Sequence, residues 1–229
     1  MKGKGVMTVK KPPRPDQTVI DRLARLPTAT IANALDDVGK HVNCPVALRP
    51  VATGMSFAGP AVTVEMVAGE AGTYTSADFR VGAMIDAAVA ADVIVVSAQG
   101  ARASAWGGMA SLAAKVKGVA GLVVDGGVRD IDEMVEHPFP VFARHPVATT
   151  GRTRLKVKAI NVPIEIDGVS VSPDDVIVAD STGIVVVPCA DAERVAELAE
   201  RYAADDHNAE AEIRKGLSFS EAMAKFKRI

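Results

Sequence analysis

Cysteine is almost missing from this 229-residue chain, with Cys44 and Cys189 its only two. Two thiols so far apart make neither a disulfide framework nor a zinc cluster, and a reducing cytoplasm is the compartment that fits. No apolar run approaches the ~20 residues that span a bilayer, and the N-terminus lacks the apolar stretch of a signal peptide. Charge of one sign is also lacking. A net charge of −2 sets up no field toward nucleic acid or an anionic membrane, so neither is expected as a partner. His41, His137, His145 and His207 show no i, i+4 ligand spacing. Ser111 and Cys189 have neither a nearby base nor an elbow motif, which argues against a hydrolase triad. No glycine-rich nucleotide-binding turn follows the first strand. Aromatics make up 4% of the residues, so the core must be built from Ala, Val, Ile and Leu.

What is present is ordinary globular composition, 48% apolar and 24% charged, at a length that suits one domain. Lys2, Lys4, Lys10, Lys11 and Arg14 lie among Gly3, Gly5, Pro12, Pro13 and Pro15. That mixture buries little, so residues 1–15 are expected to form a solvated tail and 16–229 a single domain. Apolar spacing predicts a helix over 16–26 ended by Pro27, and a second capped by Thr28 or Thr30. A strand at 61–67 follows, then helix and strand in alternation: 76–90 with 93–96, 107–117 with 121–125, and 130–136 with 141–142. This order argues for an α/β layer architecture with a partly parallel sheet. Beyond His145 the segments 153–162, 169–171, 176–179 and 184–187 are short, β-rich and separated by turn signals, which predicts antiparallel pairing. A charged helix over 191–215 and an amphipathic one over 218–226 end the chain.

The stretch 106–130, WGGMASLAAKVKGVAGLVVDGGVRD, places glycine pairs on both sides of one strand. Gly107-Gly108 and Gly126-Gly127 each read as a turn leading into a helix start, where free N–H groups meet anions. Arg129 and Asp130 end the stretch with adjacent opposite charges. Asp130 is at once a candidate N-cap and a candidate metal ligand, and Asp125 a candidate turn or supporting residue. Asp174 and Asp180 read as turn residues. Asp205, Asp206, Glu210 and Glu212 read most simply as a solvated helix face.

The order W-G-G-M, G-L-V-V-D-G-G-V-R-D and V-S-P-D-D-V-I-V-A-D-S-T-G-I-V-V-V-P, over residues 28–215, resembles the group containing 4-hydroxy-4-methyl-2-oxoglutarate aldolases and the regulator of ribonuclease activity A. The resemblance implies an α/β/β sandwich with mixed sheets, like a phosphohistidine swivelling domain, assembled as a homotrimer or hexamer with sites between subunits. It implies a lyase that cleaves a C–C bond of a small 2-oxo acid to release pyruvate, by aldol cleavage or by decarboxylation of oxaloacetate. Asp130 would hold Mg2+ (or Mn2+), Arg129 the pyruvate portion, and the turn Gly107, Gly108, Met109 and Ala110 its carboxylate. Glu210 of a neighbouring subunit is the candidate acid that orients the base. Two departures stand out: Gly108 replaces the acid of a G-E or G-D turn, and Gly69-Glu70-Ala71 replaces G-D-N. The regulator supplies the competing reading, a non-catalytic trimer that contacts a protein such as a ribonuclease.

Overall fold

Valine-rich segments with side chains alternating between two apolar layers dominate the computed structural model, which describes residues 7–8, 14–41 and 43–226. In chain order the described elements are β1 (Met7–Thr8), α1 (Gln17–Leu23), α2 (Thr28–Asp37), β2 (Arg49–Pro50), β3 (Phe57–Ala68), α3 (Val81–Ala87), β4 (Val93–Trp106), α4 (Gly108–Val116), β5 (Gly121–Val128) and α5 (Ile131–Glu136). They continue with β6 (Val141–Pro146), β7 (Leu155–Ile160), β8 (Ile164–Ile166), β9 (Val169–Val171), β10 (Val176–Ala179), β11 (Ile184–Val187), α6 (Ala192–Arg214) and α7 (Phe219–Lys225). The class is α/β with a mixed sheet, as the resemblance implied. β3, β4, β5 and β6 lie parallel side by side, and β7 joins β3 antiparallel. The first residues of β3 pair instead with β10, which pairs with β11, so β3 belongs to both sheet layers.

The two-residue period divides the core. Val62, Val64, Ile94, Val96, Leu122 and Val124 point to the layer with α3 and α4, while Val93, Val95 and Val123 point to the layer shared with β8 to β11. On β10 and β11, Val176, Val178, Val185 and Val187 face a third layer with α1, α2 and α6. This is why these strands read as continuous apolar runs.

Several boundaries differ from expectation. β4 runs on to Trp106, and β5 contains Gly126 and Gly127 in place of a turn. A Cβ on Gly127 would lie 2.3 Å from Val147 Cγ1 and 2.9 Å from the Ala103 carbonyl, so this glycine serves close packing between strands. The helix expected over 76–90 is divided into a 3₁₀ turn at Ser76–Asp78 and α3, because Arg80 adopts a left-handed conformation. Neither Thr28 nor Thr30 caps α2. The Asp180 carboxylate, 152 residues away, accepts the Thr28 N–H at 2.9 Å and its hydroxyl at 2.8 Å. Asp180 thus caps a distant helix besides accepting the Thr182 N–H in its own turn.

In the basic segment Met7–Thr8 pairs parallel with β7, and Arg14 reaches the buried Asp92 and Asp174. Residues 1–6 and 9–13 of the expected tail lie outside the described residues.

Candidate functional site

Trp106 and Val128 are register partners at the C-terminal ends of the parallel strands β4 and β5. Their pairing sets the two turns of the 106–130 stretch side by side, and the Arg129 N–H donates to the Trp106 carbonyl at 3.1 Å. Crevices beyond the carboxyl ends of parallel strands are where ligands of open α/β sheets bind. The Trp106 side chain is buried and donates from Nε1 to Ser111 Oγ at 2.9 Å, and Ser111 Oγ donates to the Gly107 carbonyl at 3.2 Å. That chain of bonds anchors the start of α4 to the strand end.

Asp130 takes a left-handed conformation, φ 58°, and its side chain does not cap its own helix α5. It turns instead toward α4, where Oδ2 accepts the Gly108 N–H at 3.2 Å and lies 3.4 Å from Arg129 Nε. The next N–H groups of α4, on Met109 and Ala110, have no acceptor among the described residues. Glycine at both positions leaves room for two carboxylates, which a larger residue would push aside. A Cβ on Gly107 would lie 2.6 Å from Asp130 Oδ2, and one on Gly108 would lie 1.9 Å from Glu133 Oε2.

The residue missing from the sequence reading is therefore Glu133. Its carboxylate, which has no hydrogen-bond partner among the described residues, occupies the space a side chain at position 108 would take. Its place one helical turn after Asp130 was a signal that could have been read, since residues three apart on a helix share a face.

A cavity of about 570 Å3 opens over this constellation, lined by Gly107, Met109, Ala110, Arg129 and Asp130 from the predicted set. Gly108 is buried just behind it. Arg80 and Arg152, which were not predicted, also line it. Glu210 does not. On α6 it accepts from Arg214, Nη2 at 2.5 Å and Nε at 2.9 Å, in an exposed pair that lowers its carboxyl pKa. Asp125 belongs to a separate network: it is buried and accepts from Arg144 Nε at 2.6 Å and from the Asp167 N–H at 3.0 Å.

A family model described as "RraA-like: Aldolase/RraA" matches residues 28–186. The chain belongs to that family. A protein of Halalkalibacterium halodurans, named provisionally as a 4-hydroxy-4-methyl-2-oxoglutarate aldolase, is 33% identical over 195 residues, 85% of this chain and 88% of its own. A Thermus thermophilus protein named 4-hydroxy-4-methyl-2-oxoglutarate aldolase is 35% identical over 101 residues, 43% of this chain and 60% of its own. Among solved structures, Streptomyces coelicolor RraAS2, titled an unusual member of the RNase ES inhibitor RraA protein family, superposes with a TM-score of 0.76 at 28% identity. That likeness covers 90% of this chain and 99% of RraAS2. An uncharacterized protein of Pseudomonas syringae gives a TM-score of 0.81 at 29% identity, over 92% and 99% of the two chains.

No helix among the described residues is long and apolar enough to cross a membrane, nor does any cluster of three metal-ligating His, Cys, Asp or Glu side chains occur among them.

Proposed function

We propose that this RraA-like chain is a divalent-metal-dependent lyase that releases pyruvate from a small 2-oxo acid. The observation that carries the reading is the joint presentation of Arg129, Asp130 and the free N–H groups of α4 to one cavity. The donor set suits Mg2+ or Mn2+. Hard cations of this size keep several waters and need one or two protein carboxylates, and the two here, Asp130 and Glu133, both fill cradles left by absent glycine Cβ atoms. When bound there, the ion would supply Lewis-acid polarisation of the 2-oxo group.

The protein's own groups account for the rest. The N–H groups of Met109 and Ala110, at the positive end of α4, receive the substrate carboxylate. Arg129 stands where negative charge develops on the oxo oxygen as the C3–C4 bond breaks and its electron pair moves toward the carbonyl. A proton then returns to C3. Decarboxylation of oxaloacetate needs no base, so the groups of one cavity suffice for it. Aldol cleavage also removes the proton of the C4 hydroxyl. For that step we assign Glu210 of a neighbouring copy, orienting the base, in a homotrimer or hexamer.

The competing reading is a non-catalytic trimer, and Gly108 in place of an acid is the feature that favours it. The test is pyruvate release from oxaloacetate and 4-hydroxy-4-methyl-2-oxoglutarate, followed by coupled lactate dehydrogenase, with Mg2+ or Mn2+, with chelator, and with Asp130→Asn. Asparagine is chosen because it tolerates a positive φ. Metal-dependent pyruvate lost in the variant is the expected result, whereas folded protein silent on both substrates would favour the binding role.

A further inference from the structure

β3, β4 and β5 also carry polar side chains toward their carboxyl ends on the sheet face away from α3 and α4. Glu65 is the register partner of Ser97, and Ser97 that of Asp125, so a carboxylate, a hydroxyl and a second carboxylate stand in one row across three strands. The two-residue period sets their face: Ser97 continues Val93 and Val95, and Asp125 continues Val123, in the layer shared with β8 and β9. A cavity of about 630 Å3 opens over this row and is lined also by Gln99, Glu165 and Asp167. It shares no lining residue with the cavity of Arg129 and Asp130.

Ser97 is the residue that points to a ligand. It is 6% exposed, it lines this cavity, and its hydroxyl makes no hydrogen bond with any described residue. A hydroxyl can donate once and accept twice, and one buried without a protein partner marks a place where another polar group is received. The charges decide the sign of that group. Four carboxylates, Glu65, Asp125, Glu165 and Asp167, line the cavity, and no Lys or Arg does. Two cations reach them from behind: Lys158 donates to Glu65 Oε1 at 2.7 Å, and Arg144 donates to Asp125 at 2.6 Å and to Asp167 at 2.8 Å. Glu165 is exposed and has no ion-pair partner among the described residues, and Glu65 Oε2 accepts no hydrogen bond from them. Negative charge therefore remains in excess. No three of these carboxylates converge as a metal ion would require. Strands roughly 4.8 Å apart place the Glu65 and Asp125 backbones roughly 10 Å from each other, so the acceptors suit an extended ligand with separate donor groups.

We propose that this cavity is a second binding site, separate from the lyase cavity, for a small organic dication whose ammonium groups are received by Glu65, Ser97 and Glu165. Ammonium groups supply only donors, which matches a wall of carboxylates and one free hydroxyl oxygen, and charge assistance strengthens each bond. Asp125 and Asp167 stay tied to Arg144 and add to the negative field.

The test is calorimetric titration of the full chain with 1,4-diaminobutane and with 1,4-butanediol, which has the same carbon chain but hydroxyls in place of ammonium groups. The diamine should bind at least about tenfold more tightly, with an affinity that falls as salt is added. Ser97→Ala should weaken diamine binding at least about fivefold, as loss of a hydrogen bond to a charged group does, and Glu165→Gln at least about twofold, as suits an exposed charge. Ser97→Ala removes no charge, so general attraction of the diamine to an acidic surface would not respond to it. Both variants should keep the melting temperature within about 2 °C, because neither side chain has a hydrogen bond within the described residues to lose. No heat with the diamine, equal affinities for diamine and diol, or a diamine affinity unchanged in Ser97→Ala would each overturn the site. All three outcomes leave the lyase reading intact, since the two cavities have no residue in common.

Discussion

Arg129 and Arg144 stand beside neighbouring strands in opposite electrostatic surroundings. Arg144, in β6, donates to Asp125 at 2.6 Å and to Asp167 at 2.8 Å. Asp125, then Asp167, hold its proton more firmly than in free arginine, outweighing partial burial. Arg129 has one carboxylate neighbour among the described residues, Asp130 at 3.4 Å, and 45% of its side chain is exposed. The same residue type is thus saturated at one strand and open at the next. A saturated guanidinium ties β5, β6 and the β8–β9 turn together, whereas an open one retains donors for a ligand. Distinguishing the two needed partners, not residue identity.

The largest effect that would break this contrast is catalytic. Arg129→Ala should lower pyruvate-forming kcat/KM by about 10²–10³, the usual result of removing one charge-stabilising donor. Its melting temperature should move by less than about 3 °C, since exposed side chains contribute little to stability. A variant within threefold of the unaltered rate would place Arg129 outside the chemistry. Next comes its saturated counterpart: Arg144→Met leaves the buried Asp125 without a counter-charge, which costs about 3 kcal/mol, or roughly 6–12 °C by differential scanning calorimetry. A shift below about 2 °C would mean that saturation does not separate the two arginines.

The glycine cradle sharpens the comparison at smaller scale. Gly108→Ala puts a Cβ where Glu133 Oε2 now lies and should displace that carboxylate. Mn2+ affinity, read by electron paramagnetic resonance, should fall about tenfold, with a matching fall for Glu133→Gln. Unchanged affinity in both would remove Glu133 from the metal's surroundings.

The smallest expected effect concerns Asp180, a carboxylate saturated by N–H donors as Asp130 is not. Burial pushes its pKa up, but hydrogen bonds from Thr28, Thr182 and Gly183 outweigh it and leave the pKa below the usual value. Asp180→Ala should cost about 1 kcal/mol through loss of the α2 cap. Because the folded pKa is depressed, that contribution is fully present above the unfolded carboxylate value near ~3.9 and disappears as pH falls through the lower folded value. Denaturant titrations at neutral and acid pH should therefore find the gap between the two proteins closing below about pH 4.

Much of the site could be read in the chain because its parts are local. The stretch 106–130 contains a strand, two helix starts and the Arg129-Asp130 pair within one βαβ unit, so short-range spacing was sufficient to connect them. For Glu133 the linear signal is its spacing from Asp130, but that spacing does not say that Gly108 leaves room for its carboxylate. Arg80 and Arg152 could not be read because they reach the cavity from separate loops, far apart in sequence. The helix expected over 76–90 failed for a related reason: apolar periodicity continues through 79–87, while the left-handed turn at Arg80 is a backbone event that side-chain pattern does not record.

By itself the sequence determined the class of fold, through apolar runs whose period and turn signals allow only alternating helices and strands followed by antiparallel ones. It also determined the family, through the motifs at 125–130 and 174–188. Tertiary structure alone decided which charges are satisfied. Asp180 finds its helix 152 residues away, Asp125 and Asp167 quench Arg144, and Arg80, Arg129 and Arg152 meet at one cavity with a single acid. The physical reason is range: helix and strand propensities act over a few residues, whereas a hydrogen bond or ion pair depends on distances that chain folding sets.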